Sequence, residues 1–178
     1  MHDSEKDVWQ RFIKNDEKAF AALFEQNSDK LYNYGLKFTA DEETLKDCIQ
    51  DLFIKLYKNR HSLPELENPQ FYLFRSFKNL LIDAMQQQQR MVYLPPQEIP
   101  FHIKFICGNQ EEDVDDGIKE KFEKVINMLS DRQKEVIYLR YQANLSYDEI
   151  SRLLGINYQS VRNLVHRSIE KIRSEVKK

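Results

Sequence analysis

Cysteine is almost absent. Cys48 and Cys107 are the only two in 178 residues, and neither belongs to a metal-ligand or redox pair of recognisable spacing, so both read as buried or incidental thiols. Four histidines, His2, His61, His102 and His166, are scattered. No HExxH, phosphate loop or glycine-rich nucleotide fingerprint occurs, which leaves no catalytic constellation and no expectation of a metal or cofactor. Glycine and proline are scarce, at four and five residues. With no alternating strand-like runs between turn signals, that scarcity points to an all-α protein. No long apolar run marks a signal peptide or membrane span, so the expectation is a cytoplasmic protein without membrane insertion.

What is present is a composition that supports a core, 41% hydrophobic with 31% charged residues, suited to one or two folded domains. The net charge of -2 hides an asymmetry: residues 1–116 carry 14 Lys and Arg against 21 Asp and Glu, whereas residues 117–178 carry 13 against 8. A basic C-terminal piece suits phosphates, and an acidic N-terminal piece suits a protein surface at least as well.

The most informative stretch runs from Asn144 to Arg173. Ser146 and Glu149 have capping-box spacing, so a helix should begin at Tyr147 with Ile150, Leu153 and Leu154 on its apolar face. Gly155 should end it, and Ile156 and Asn157 complete a turn of helix-turn-helix length. In the next helix, starting near Tyr158, Val161, Leu164, Val165, Ile169, Ile172 and Val176 form an apolar stripe. Gln159, Ser160, Arg162, Asn163, His166 and Arg167 are left facing outward. These side chains hydrogen-bond base edges and phosphates, and they crowd the half of the helix that enters the major groove in this motif. The same pattern would also fit a helical hairpin with a solvated polar face.

Upstream, short helices are expected around Val8–Ile13, from Asp16 through Thr39, and over residues 42–59, where Leu45, Cys48, Ile49, Leu52, Phe53 and Leu56 make a strong stripe opposite Asp47, Gln50, Asp51 and Lys55. Residues 59–69 read as a loop. The helix that follows has too many apolar positions for one stripe, from Phe71 to Met85, with Arg75, Lys78, Asn79 and Asp83 as its polar exceptions. Periodicity fails between Met91 and Gly117, where prolines and an acidic run mark a linker. The expected organisation is a first domain over 4–92, a linker over 93–117 and a second domain over 118–178.

Four segments in order resemble bacterial RNA polymerase sigma factors of the sigma-70 family, in the extracytoplasmic-function (ECF) group. DEKAFAALFEQNSDKLYNYGLKF resembles the family's first helices. LKDCIQDLFIKLYKN is similar to its polymerase-docking segment, and FYLFRSFKNLLIDAM to its minus-10 helix. LSDRQKEVIYLRYQANLSYDEISRLLGINYQSVRNLVHRSIEKIR is similar to its C-terminal reader. The resemblance implies a non-enzymatic protein, monomeric when free, that binds core RNA polymerase and promoter DNA and is held by an anti-sigma factor.

Carried over by matching position, the resemblance implies core contacts at Asp47, Gln50, Asp51 and Lys55. It implies minus-10 contacts at Arg60, His61, Arg75, Lys78, Asn79 and Asp83, where a base pulled from the stack would be captured by the 59–68 loop and the helix after it. Minus-35 contacts fall at Tyr158, Gln159, Ser160, Arg162, Asn163, His166 and Arg167. The chain departs from the family pattern in SVRNL, where a basic position is missing at Leu164, in Gln86–Gln89, where an arginine run is frequent, and in Tyr57, where tryptophan is frequent. The competing reading is a dimeric helix-turn-helix regulator that never touches polymerase; a palindromic operator and a dimer in solution would favour it.

Overall fold

The structure, a computed structural model, describes residues 4–89, 99–103 and 116–176. Among these every regular element is helical, and the chain divides into two units, Met1–Tyr93 and Leu94–Lys178.

The first unit holds α1 (Glu5–Ile13), α2 (Glu17–Gly35), α3 (Glu42–Asn59) and α4 (Pro69–Gln89), with a short 3-10 turn at Arg60–Ser62. Side-chain caps set the first three starts: Ser4 accepts from the Asp7 amide, Asp16 from those of Lys18 and Ala19, and Asp41 from that of Thr44. Each satisfies backbone donors that a helix N-terminus leaves without partners. Trp9, Phe12, Leu23, Leu31, Tyr34, Leu45, Leu73, Phe74, Phe77 and Leu81 are buried where these helices meet. At the end of α2 the packing requires a glycine: a Cβ on Gly35 would lie 2.5 Å from Leu45 Cδ2 and 3.0 Å from Phe77. Phe24, one residue beyond the buried Leu23, is 42% exposed.

In the second unit α5 (Asp116–Asn127) and α6 (Asp131–Tyr141) precede α7 (Tyr147–Leu154) and α8 (Tyr158–Val176). Ser130 and Ser146 each close a reciprocal capping box, with Gln133 and Glu149. Most of the expected linker lies outside the described residues. One part of it that is described, residues 99–103, belongs to this unit, and Phe101 is completely buried with its ring edge-on to Tyr138 at 5.9 Å. Burial pushes the Tyr138 hydroxyl up to about 12, because an ionised phenol there would lose its hydration. At the far end, Val176 extends the apolar spacing of α8 but is 72% exposed, while its neighbour Glu175 turns inward to pair with Lys124 of α5.

Candidate nucleic-acid and polymerase interfaces

In the second unit, Gly155 adopts a left-handed conformation (φ 63°, ψ 33°) and ends α7 as its spacing predicts. Asn157 then caps α8, its Oδ1 accepting from the Ser160 amide at 2.7 Å. Two arginines of α6 hold the motif from behind. Arg132 donates to the Leu154 carbonyl and pairs with Glu135, and Arg140 donates to the Leu145 carbonyl while lying over the Tyr147 ring. Val161 and Val165 are buried, which turns Gln159, Arg162, Asn163, His166 and Arg167 to solvent. Ser160 is only half-exposed, its amide already bound to Asn157.

A depression of about 580 Å³ brings Tyr147 of α7 together with Gln159, Arg162, Asn163 and His166. Gln159 donates to Asn163 at 3.0 Å, so these two amides form one hydrogen-bonding edge, and His166 lies 3.6 Å from Glu170. Tyr158 is half-exposed and meets Tyr147 edge-on at 6.0 Å.

The first unit carries several concavities. One, about 350 Å³, lies between α3, the following loop and α4; Leu52, Leu56, Leu63 and Tyr72 give it apolar walls, and Lys55, Asn59, Ser76, Asn79 and Asp83 give it polar edges. A planar heterocycle needs that combination, a stacking surface with donors and acceptors at its rim. Asn79 and Asp83, expected in the minus-10 set, line this pocket together with Lys55, expected on a polymerase surface.

Other expected members of the minus-10 set are elsewhere. Lys78 is 5% exposed, on the core side of α4 with its ammonium 5.5 Å from the Phe38 ring centroid. It is a core residue rather than a surface cation, because one residue along a helix turns a side chain by about 100°. Arg60 is engaged internally: Nε donates to Asn15 Oδ1 at 2.7 Å, Nη1 to the Tyr57 carbonyl at 2.6 Å, and the guanidinium lies over the Tyr57 ring. Arg75 and His61 are exposed but do not line the pocket.

A larger concavity, about 860 Å³, is a mostly apolar groove between α2 and α3 lined by Phe20, Phe24, Ile49, Phe53, Ile54 and Tyr57. Its aromatic rings interlock, Phe24 on Phe53 at 4.9 Å and Phe20 on Tyr57 at 5.1 Å. Gln50, Lys46 and Lys58 stand at its rim. Asp47 and Asp51 flank a smaller depression toward α4, with Cys48, Ala84 and Gln87. Burial first, then the charges of Asp51 and Asp47, push the Cys48 thiol up. The periodicity of α3 passed over Ile54; the available signal was an apolar residue on the otherwise polar face of that helix.

Among the described residues no cluster of side chains could hold a metal ion, and no helix is long and apolar enough to cross a membrane.

Two helical units, one of them ending in a capped helix-turn-helix with a polar outer face, define a sequence-reading DNA-binding protein. Residues 23–91 match sigma-70 region 2 and residues 119–172 match sigma-70 region 4. The chain is 26% identical over 172 residues to the ECF RNA polymerase sigma factor SigW of Bacillus subtilis, covering 92% of each, and 21% identical over 152 residues to SigM of the same organism, covering 85% of this chain and 91% of SigM. Its fold is similar to that of RpoE in complex with the anti-sigma factor NepR from Bartonella quintana (TM-score 0.62, 20% identity, 90% of this chain and 98% of RpoE). It is similar to CnrH in complex with the cytosolic domain of CnrY to the same degree (TM-score 0.62, 16% identity, 98% of each). The chain belongs to the sigma-70 family, in its ECF group. Its activity is that of the family, binding RNA polymerase and directing transcription initiation.

Proposed function

We propose that the two units divide promoter recognition. The first docks on core polymerase through the α2–α3 groove and the adjoining acidic edge of α3, and captures an unpaired base of the minus-10 element in the pocket containing Asn79. The second lays α8 in the major groove of the minus-35 element. The observation that carries this reading is the polar-rimmed pocket of the first unit lying within the stretch matched to sigma-70 region 2, in a chain whose other unit displays a reader helix. A regulator that reads only duplex DNA has no use for a base-sized pocket.

Direct readout falls to Gln159, Arg162, Asn163 and Arg167, exposed on the leading half of α8. An arginine bidentate to guanine and an amide bidentate to adenine are the pairings that geometry favours. Because RpoE is solved with the anti-sigma factor NepR, an anti-sigma factor is the expected restraint on this chain. The reaction itself takes place in the polymerase, in the cytoplasm, and the chain contributes positioning.

Reconstituted transcription tests the whole reading. Purified chain added to core polymerase should give initiation from a defined promoter, with the chain monomeric before mixing. A stable dimer that binds a palindromic duplex and leaves core polymerase inert would establish the regulator reading instead.

A further inference from the structure

The pocket between α3 and α4 is completed by a loop, and a loop of this length does not hold a shape by itself. Leu63 supplies one wall from that loop and Tyr72 supplies another from α4. Behind both lies Trp9 of α1. It is wholly buried, its indole N–H donates to the Pro64 carbonyl at 3.0 Å, and its ring meets the Tyr72 ring at 5.6 Å. One side chain therefore touches the residue next to one wall and the residue that is the other.

Two further ties join the same parts. Lys6, one turn before Trp9, donates to the Glu67 carboxylate at 2.7 and 2.8 Å. Asn15, in a left-handed conformation at the α1–α2 turn (φ 75°), accepts from Arg60 Nε at the start of the loop. Asparagine tolerates that conformation better than most residues, and here it aims the amide oxygen at the guanidinium. The loop is thus fastened to the α1 region at Arg60, Pro64 and Glu67, while no residue of α1 lines the pocket.

We propose that α1 is a splint for base capture, with Trp9 a positioning residue that fixes the spacing between Leu63 and Tyr72, and Lys6 and Asn15 securing the ends of the same loop. This rests on the pocket being the capture site. A pre-formed pocket takes up a base without first ordering the loop, so α1 contributes to promoter melting without touching DNA.

The test uses full-length chain in holoenzyme with core polymerase. The probe is a fork-junction duplex from a promoter selected by the wild-type holoenzyme out of random DNA, whose single-stranded minus-10 end carries either a base or an abasic site at each position in turn. Trp9→Phe keeps an aromatic ring, though a smaller one, and removes the donor to Pro64. The variant should melt at a lower temperature, as expected for a smaller ring at a fully buried site, retain core affinity when assayed well below that temperature, and lose about fivefold of the base-over-abasic preference at the captured position, the order expected for one part-buried hydrogen bond. Lys6→Glu should lower the same preference, and Lys6→Glu combined with Glu67→Lys should restore it. This surface pair decides the matter if Trp9→Phe does not fold. Full preference in Trp9→Phe, or a loss that only tracks core affinity and melting temperature, would overturn the splint alone. A wild-type holoenzyme with no base-over-abasic preference at any position would overturn the capture site and the splint together.

Discussion

Asn79 and Lys78 are neighbours in sequence with opposite environments, one open to the pocket and the other 5% exposed beneath Phe38. Lysine on a helix is ordinarily at the surface, so residue type gave the wrong side for Lys78, and only packing against Phe38 decides it. Lys78→Ala should therefore lower the stability of the chain by about 1–3 kcal/mol in denaturant titrations, with minus-10 affinity affected only through folding. Asn79→Ala should leave stability alone and weaken binding to the single-stranded minus-10 strand. On α8 both candidate arginines are exposed, as their spacing implies. Alanine at a base-reading arginine should cost about 1–3 kcal/mol and relax preference at one position, whereas a lost phosphate contact weakens all sequences alike. Binding of Arg162→Ala and Arg167→Ala to a set of minus-35 variants separates these, and unchanged binding by both would remove α8 from the interface. At Tyr138 the raised folded value, about 12 against an ordinary 10, sets a sign. Below pH 10 the hydroxyl is neutral in both states and its contribution is fully present; as pH rises from 10 to 12 the unfolded chain ionises first and stability is lost. Tyr138→Phe should remove that part of the alkaline loss in circular dichroism melts, and an unchanged profile would mean the hydroxyl is hydrated.

Helix limits were legible where they are written in local chemistry: Ser146 sits at a cap and Gly155 at a left-handed stop. Surfaces were not, since an apolar residue at helical spacing defaults to the core. Phe24 and Ile54, 42% and 41% exposed, instead open the groove between α2 and α3. The acidic edge of α3 and this groove are two sides of one exposed arc, Asp47 and Asp51 toward α4 and Gln50, Ile54 and Tyr57 toward α2. They can be tested separately. Ile54→Glu should weaken core binding about tenfold or more, by placing a charge in an apolar contact, and Asp51→Lys should act mainly through the association rate, with a salt-dependent effect. Neither side chain is buried, so circular dichroism should stay as in the wild type. Core affinity unchanged by Ile54→Glu would remove the groove from the polymerase interface.

Over the whole chain, the acidic excess of the first 116 residues is not a property of the first unit. Residues 1–93 carry 13 Lys and Arg against 15 Asp and Glu, residues 94–116 one against six, and residues 117–178 thirteen against eight. Five of the seven net negative charges of residues 1–116 therefore immediately precede the basic reader domain in sequence. Charges interact within about a Debye length, ~10 Å at 0.1 M salt, and an acidic run adjacent in sequence to a basic domain lowers the average potential that attracts phosphates. The free chain should in consequence bind nonspecific duplex weakly, leaving promoter engagement to the holoenzyme. Neutralising Glu111, Glu112, Asp113 and Asp115 as the amides should tighten binding of the free chain to a nonspecific duplex and steepen its salt dependence. Each additional phosphate neutralised adds roughly 0.9 to the logarithmic slope. Sequence preference at the minus-35 element should stay constant, because no reader side chain changes. Filter-binding titrations at several salt concentrations give affinity and slope together, and a neutralised chain with the wild-type slope would show that the acidic run does not offset the field of the reader domain.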